Sequence, residues 1–384
     1  MYSQYLSDEE VSAAMSDQAF IHQFCLFESQ LAVAQAALGI IPASASDEIQ
    51  KVLIRTSIRA EEIQASFLTN GIPTIGLLNL IKKQLSESSK PYLHYKCTSQ
   101  DVIDTAHMLM YRAGLGILET RILHLLDLTH EHIQTYGNLP LVARTRNQQA
   151  GPIVVGVRLV NWMNPLLTLL EQLTYIRDTS LNLQFAGAFG TNAALGAQAH
   201  AVAIQLAEAL ELGYIGNWHT NRLPLKSISD WLVGLSGSVG KIAKDILFLS
   251  ANEVGEMKED GEGGGKSSAM PHKSNPILSE AILALSMENS IEAIKINQAM
   301  MHLGERDGAA WIMEWRAMVN LFVNSATCLT HLVSIMKRMV IHQAGIRRNL
   351  RLIPAISAQL SDLPHSNHQQ IIDTFIEKIK NLHT

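Results

Sequence analysis

The stretch 228-ISDWLVGLSGSVGKIAKDILFL-249 carries the clearest structural signal in the chain. Its large apolar side chains recur every three or four residues, at Ile228, Trp231, Leu235, Val239, Ile242 and Ile246. This spacing places them on one face of an α-helix, whereas a half-buried strand would alternate every second residue. The remaining positions hold many small and apolar residues, so the helix is predicted to be buried on most of its sides.

The same period recurs along most of the chain, in residues 18–38, 101–125, 154–179, 191–212, 277–302 and 310–341. We find no sustained period-two strand and no Asn-Gly hairpin signal. The fold class is therefore predicted to be all-α. Several of the helices are long and rich in small residues, a combination that indicates a bundle of nearly parallel helices.

Composition narrows the class of protein further. The chain has 384 residues, of which 47% are hydrophobic and only 17% charged, with a net charge of −5. About 25% charged residues is typical, so the low fraction suggests that much of the surface is buried in an oligomer. No basic stripe indicates nucleic-acid binding, and no uncharged apolar run is long enough to predict a membrane span. Three separated cysteines argue against a disulfide framework or a zinc ribbon.

The chain divides into three predicted parts. Residues 1–97 form an N-terminal helical domain, residues 98–338 a central domain of long helices, and residues 339–384 a short C-terminal domain. The first 18 residues lack the basic-then-apolar pattern of a signal peptide, so we expect a cytoplasmic protein.

A glycine-rich run precedes an unusual segment. Gly265-Lys266-Ser267 is similar to the end of a phosphate-binding loop, but that pattern needs glycine where Asp260 stands, and the run follows a predicted helix rather than a strand. The next residues, 267-SSAMPHKSNP-276, combine hydroxyls, a cation and an amide with two prolines. A glycine-rich lead-in to such a segment is typical of a lid that closes on substrate.

Residues 266-KSSAMPHKSNP-276 resemble the signature of the fumarase/aspartase superfamily, Gly-Ser-Ser-x-Met-Pro-x-Lys-x-Asn-Pro, with Lys266 in place of the first glycine. Further blocks agree in the same order, over roughly residues 20–350: 94-HYKCTSQDVIDTA-106, 143-ARTRNQQAGP-152, 184-QFAGAFGT-191, 218-WHTNR-222 and 305-ERDGAAWIMEW-315. Within the superfamily the chain resembles the 3-carboxy-cis,cis-muconate cycloisomerases most, with the adenylosuccinate lyases as near relatives. The resemblance implies three helical domains, the third of them shortened here.

The resemblance also implies an assembly and a chemistry. Members form homotetramers around a shared helix bundle, and each active site takes segments from three subunits. The reaction moves a proton beside a carboxylate while a group leaves or joins the next carbon, through a dianionic aci-carboxylate that fixed donors and cations must stabilise. It implies a small di- or tricarboxylate substrate and neither a metal ion nor an organic cofactor.

Candidate residues follow from the matched blocks. The resemblance assigns Ser267 as the catalytic base, with a plain turn residue as the alternative. Lys273, Asn275 and Arg306 are predicted to bind carboxylates, although Arg306 is equally able to pair with Glu305 or Asp307. Thr98 and Ser99 open a long helix, whose N-terminus favours an anion, and Ser99 would serve there as a cap in any case. Gln149 and Arg222 are weaker candidates for substrate contacts. His94 is a candidate general acid or hydrogen-bond donor to substrate, and His219 is a similar candidate. For each histidine the alternative is a structural role.

One position departs from many lyases of the superfamily. Where they have a histidine paired with a glutamate, this chain has Arg146, while the glutamate is present as Glu280, which the resemblance implies is a catalytic residue. A guanidinium does not release its proton near neutral pH, so Arg146 is not a general acid. We expect it to pair with Glu280 and to bind an additional carboxylate, which favours the cycloisomerase over an adenylosuccinate lyase.

Three functions therefore stand side by side. The first is a cycloisomerase that adds the substrate's own carboxylate across a double bond. The second is a C–N or C–O lyase acting on another dicarboxylate. The third is a catalytically silent helical oligomer with a binding or structural role, to which the departures at Arg146 and Lys266 give weight.

Overall fold

The computed structural model describes residues 5–259, 264–270 and 273–382. These residues are mainly helical, which confirms the all-α prediction. The helices are α1 (Glu9–Ala14), α2 (Asp17–Ala37), α3 (Ala43–Arg55), α4 (Gln64–Asn70), α5 (Thr74–Lys82), α6 (Ser99–Tyr136), α7 (Val155–Ser180), α8 (Ala199–Leu210), α9 (Leu223–Ser250), α10 (Ile277–Ala299), α11 (Gly308–Arg338), α12 (Gln343–Leu350), α13 (Pro354–Ala358) and α14 (His368–Leu382). The strands are β1 (Pro140–Thr145), β2 (Gln148–Val154), β3 (Met257–Lys258) and β4 (Val340–Ile341).

The five longest helices, α6, α7, α9, α10 and α11, form the bundle that the sequence predicts. Helices α6 and α11 run parallel, since residues near the start of one contact the start of the other and residues near the ends contact each other. Asp104 accepts a 2.7 Å hydrogen bond from Trp311 near their starts, and His132 lies 2.6 Å from the carbonyl oxygen of Met336 near their ends. Helix α11 is long and apolar enough to cross a membrane, yet 61% of its most apolar window is buried within the chain, as expected for a core helix.

The bundle has two ends, which we name the Thr98 end and the Ser267 end. The Thr98 end comprises the starts of α6, α9 and α11 and the ends of α7 and α10. The Ser267 end comprises the opposite termini of these helices. The 23 residues of α10 run from one end to the other, which corresponds to about 34 Å at 1.5 Å per residue.

One predicted helix is too long. The periodic run at residues 191–212 is helical only over Ala199–Leu210. Asn192 and Gly196 have left-handed backbone conformations, with φ of 48° and 57°, and these interrupt a right-handed helix. The apolar spacing in this run therefore continues across a turn that periodicity alone does not reveal.

The hairpin β1–β2 was not predicted from the sequence. Its two strands pair antiparallel, with an irregularity between Ala143 and Arg144. The connecting residues Arg146 and Asn147 have φ of 50° and 64°, as a two-residue hairpin turn of type I′ requires. Arg-Asn is not the Asn-Gly pair that signals such turns, and the strands lack clear alternation of apolar and polar residues. The sequence therefore does not predict this hairpin.

A buried ion pair fixes the hairpin to the bundle. Arg144 donates two hydrogen bonds to Glu256, of 2.6 and 2.9 Å, and Glu256 is fully buried. Asn349 of α12 donates to the same carboxylate at 2.8 Å. Glu256 therefore joins the hairpin, the segment after α9 and the C-terminal helices at the Ser267 end.

Glu256→Ala should lower the free energy of unfolding by about 3–5 kcal/mol, because it leaves Arg144 buried without its partner. Denaturant unfolding followed by circular dichroism measures this change. The control is Glu253→Ala, three residues earlier and exposed, which should change stability by less than about 0.5 kcal/mol. Equal effects of the two substitutions would contradict the structural role of the pair.

Candidate active site

Asp101 organises the Thr98 end. Its buried carboxylate accepts hydrogen bonds from the backbone of Ala186 at 2.9 Å, Gly187 at 3.0 Å and Thr98 at 3.1 Å. The ring of His219 lies 3.1 Å away from it. Asp101 thus holds the loop after α7 and His219 against the first turn of α6, where the helix dipole stabilises a carboxylate. The candidate residues predicted from the sequence do not include Asp101, although Thr98-x-x-Asp101 has the spacing of a capping box.

Arg306 completes this cluster. Both terminal nitrogens of its guanidinium lie 3.3 Å from the Thr98 hydroxyl, and one donates to the carbonyl oxygen of Ala188 at 3.2 Å. Asp307, the alternative ionic partner, instead caps α11 by accepting from Ala309 and Ala310. Ser99, the first residue of α6, is half-buried beside this cluster. The fold therefore joins three of the sequence blocks at an exposed arginine and a helix N-terminus.

His94 lies in the strained segment that enters α6. His94 and Lys96 have left-handed φ of 59° and 55°, uncommon for residues with side chains. The imidazole Nδ1 lies 2.5 Å from a carboxylate oxygen of Glu28, a buried residue of α2. Burial of the ring acts to lower the pKa of His94, but the Glu28 carboxylate outweighs it, so the pKa lies above its usual value. No local pattern in the sequence indicates Glu28, which is 66 residues away from His94.

Arg222 lies beneath this surface in a buried network. It donates to Asp104 at 2.8 Å and to Glu314 at 2.5 Å, and its guanidinium lies 4.8 Å from the centre of the Trp218 ring. Burial opposes its charge, but the two carboxylates outweigh burial and raise the pKa of Arg222 further. All its nitrogens are engaged within the chain. These contacts give Arg222 a structural role, and they take the place of the contact with substrate that the sequence predicts.

The signature segment forms a narrow loop at the Ser267 end. The carbonyl oxygen of Gly265 accepts from both the backbone and the side-chain amide of Asn275, each at 2.9 Å. A Cβ on Gly265 would lie 2.0 Å from the carbonyl oxygen of Asn275, and its φ is 65°, so this position requires glycine. The Asn275 amide, predicted to bind a carboxylate, thus also closes the loop. Residues 260–263, 271 and 272, which include most of the predicted glycine lead-in, lie outside the described residues.

The loop orients its candidate groups. The Ser267 hydroxyl accepts from the backbone of Met270 at 3.2 Å. Lys266 and Ser274 pair as an antiparallel bridge. Side chains alternate along such paired backbone, so Lys273 is expected on the same side as Ser267, and Lys266 on the other. Lys273 is exposed and Ser267 half-buried.

Glu280, Arg146 and Gln149 also lie at the Ser267 end. Glu280 is exposed in the first turn of α10, whose N-terminus is capped by Glu259 through Leu278 and Ser279, each at 2.8 Å. Arg146 is exposed at the hairpin tip, and the described part of the chain shows no ion pair between it and Glu280. Gln149 is half-buried on β2 with one amide oxygen unsatisfied.

The predicted site residues therefore divide between the two ends. His94, Thr98, Ser99, Arg222 and Arg306 lie at the Thr98 end; Ser267, Lys273, Asn275, Glu280, Arg146 and Gln149 lie at the Ser267 end. Roughly the length of α10, about 34 Å, separates the two groups. A single chain places the two groups at opposite ends of the bundle and does not join them.

Comparison with known proteins adds a family. A family model described as "Lyase" matches residues 7–288. The 3-carboxy-cis,cis-muconate cycloisomerase of Acinetobacter baylyi is 31% identical over 379 residues, which cover 95% of this chain and 83% of that protein. The N-acetyl-S-(2-succino)cysteine lyase of Dickeya dadantii is 29% identical, covering 89% of this chain and 76% of that protein.

A solved structure agrees with the fold. The crystal structure of 3-carboxy-cis,cis-muconate lactonizing enzyme from Pseudomonas putida superposes with a TM-score of 0.88 at 28% sequence identity, covering 99% of this chain and 87% of that chain. The long bundle and its connecting loops are therefore shared along nearly the whole length.

Glu28→Gln should move the pKa of His94 from above to below its ordinary value of about 6.5, because burial then acts without the carboxylate. The imidazolium, present in the native protein until the pH passes the raised pKa, should in the variant be lost at a lower pH. Histidine NMR titration measures the shift. Glu61→Gln, at an exposed glutamate, is the control and should leave His94 unchanged. An unaltered titration in Glu28→Gln would disprove the pairing.

Proposed function

The chain belongs to the lyase family whose model spans residues 7–288, and from this membership we propose that it is a 3-carboxy-cis,cis-muconate cycloisomerase. In this reaction a carboxylate oxygen of the substrate adds to its own double bond, the neighbouring carbon accepts a proton, and a lactone forms. The observation that carries the proposal is the similarity to the Acinetobacter baylyi cycloisomerase over 95% of this chain.

The costly species is the carbanion beside the carboxylate, whose charge spreads into a dianionic aci-carboxylate. We assign the stabilising donors to the cation Lys273 and to the Thr98–Ser99 helix terminus with Arg306. These groups are exposed or half-buried, so a carboxylate can reach them. Ser267 carries the proton between its hydroxyl and the carbon next to that carboxylate. Lys273 on the same side of the loop lowers the energy of the serine anion.

Other candidates keep more limited roles. Arg146, held out at the hairpin tip, is proposed to bind the third carboxylate of the substrate. His94, whose pKa the Glu28 carboxylate raises above its usual value, is proposed to be a hydrogen-bond donor to substrate. We propose that Arg222 positions the start of α6 through Asp104, since its own donors are engaged.

We further propose that the protein is a cytoplasmic homotetramer with composite active sites. The separation of the two residue groups by the length of α10 supports this, because a second copy is needed to bring them together. The outer face of α10 supports it too: Met287, Ile291 and Ile294 are exposed by 60%, 57% and 56%. An apolar stripe of this kind along a helix is typical of a face that packs on another chain.

The activity is tested by following the absorbance of 3-carboxy-cis,cis-muconate with purified protein. Turnover of the muconate supports the proposal. Turnover of adenylosuccinate or of an S-succinylated thiol, with none of the muconate, would replace it with a lyase of another substrate. Absence of turnover on all three substrates would favour the silent helical oligomer.

Ser267→Ala should lower kcat by about 10²-fold or more with little change in KM, because it removes the proton carrier but no carboxylate-binding group. Ser274→Ala is the matched control, since its hydroxyl only anchors the loop on Gly264. The control should retain activity to within about tenfold. Unchanged turnover in Ser267→Ala would show that another group moves the proton.

Mixing two inactive variants should restore activity if each site draws on two copies. Ser267→Ala and Arg306→Met, dissociated and reassembled together, should recover up to about a quarter of native activity, since only sites with both native segments work. Each variant reassembled alone is the control and stays inactive. No recovery in mixtures shown by mass measurement to be hybrid would place both groups in one subunit's site.

A further inference from the structure

A cavity of about 750 Å³ lies away from both groups of site residues. It opens to solvent and lies between the N-terminal helices and the sides of α6 and α11, and its walls include Phe20, Ile103, His107, Trp315 and Val319. Its volume falls in the range of about 300–1,000 Å³ that is usual for ligand pockets. None of the residues predicted for the reaction is among the described residues that line it.

Two uncharged polar groups, Trp315 and His107, stand beside the apolar side chains in the wall of the cavity. The indole Nε1 of Trp315 is buried and has no hydrogen-bond partner among the described residues. The His107 ring stands 5.4 Å from the Phe20 ring and 6.5 Å from the Trp315 ring. Burial lowers the pKa of His107 to about 4, although Asp104 opposes this, so the imidazole is neutral at physiological pH.

Charged side chains are confined to the mouth of the cavity. Arg316, Asp17 and Glu61 line it but are exposed to solvent. Helix α4, which lines one side, has no buried residue. A carboxylate packed among the aromatic rings would lose its hydration, and the cation in the lining, Arg316, is itself exposed to water.

We propose that this cavity is a second binding site, for an uncharged aromatic molecule that carries a hydrogen-bond acceptor. Its ring would pack against Phe20, His107 and Trp315, whose centres are spaced as aromatic groups prefer. Its acceptor would take the Nε1–H of Trp315, which is buried and unpartnered among the described residues, once the indole turns toward the ligand. The ligand class differs in charge from the carboxylates proposed for the catalytic site, so the two sites would not compete.

Benzamide is a suitable probe, with benzoate as its charged counterpart of the same shape. Titration calorimetry with the full-length protein should give a dissociation constant for benzamide of about 1 mM or tighter. A crystal soaked with benzamide should show it in contact with Trp315. Benzoate should be absent from this cavity, even if it binds at the carboxylate-binding groups elsewhere.

Two variants connect the binding to the cavity. Val319→Trp fills the space and should abolish benzamide binding, while muconate turnover and the melting temperature stay near native. Trp315→Phe keeps an aromatic side chain, although a smaller one, and removes the donor, and should weaken binding by about 2- to 10-fold. If Val319→Trp does not fold, Trp315→Phe and the soaked crystal still decide the outcome.

Three results would overturn the proposal. The first is no benzamide binding up to its solubility limit. The second is binding that both variants leave unchanged. The third is a crystal structure in which another copy of the chain fills the cavity.

Discussion

The fold depends on a single buried guanidinium. Arg222 immediately precedes α9, and its side chain pairs with Asp104 of α6 and Glu314 of α11. One residue therefore links three helices. Breaking a buried ion pair of this kind costs far more free energy than forming it gains. The pair therefore fixes the register of α6 against α11 more than it adds stability. A slip of α6 against α11 by one turn would leave three charges unpaired in the core.

This constraint extends to the candidate site. Asp101 lies one turn before Asp104 on the same helix, so fixing Asp104 also fixes the carboxylate that holds Ala186, Gly187 and His219. The loop after α7 thereby reaches Arg306 through Ala188. The donors at the Thr98 end are held by buried groups behind them, so the anion binding proposed there would need little reorganisation.

Much of this was accessible from the sequence, for a physical reason. Apolar periodicity reports burial of a helix face, so the long helices were predicted with most of their bounds. Periodicity says nothing about backbone that turns back, and hence the hairpin at Arg146–Asn147 and the break at Asn192 were missed. Matched blocks named Thr98 and Arg306, but Glu28 and Glu259 act through contacts 66 and 19–20 residues distant. Such pairings depend on how helices stack, which no local pattern encodes.

The length of α10 has a consequence for how activity depends on concentration. Under the proposed arrangement, a chain newly released from the ribosome has two half-sites about 34 Å apart and no complete one. Catalysis then begins only with association, and specific activity falls when the protein is diluted below the dissociation constant of the assembly. Assembly of the bundle would thus set the protein concentration at which activity appears, and a free chain would be unable to process any carboxylate it meets.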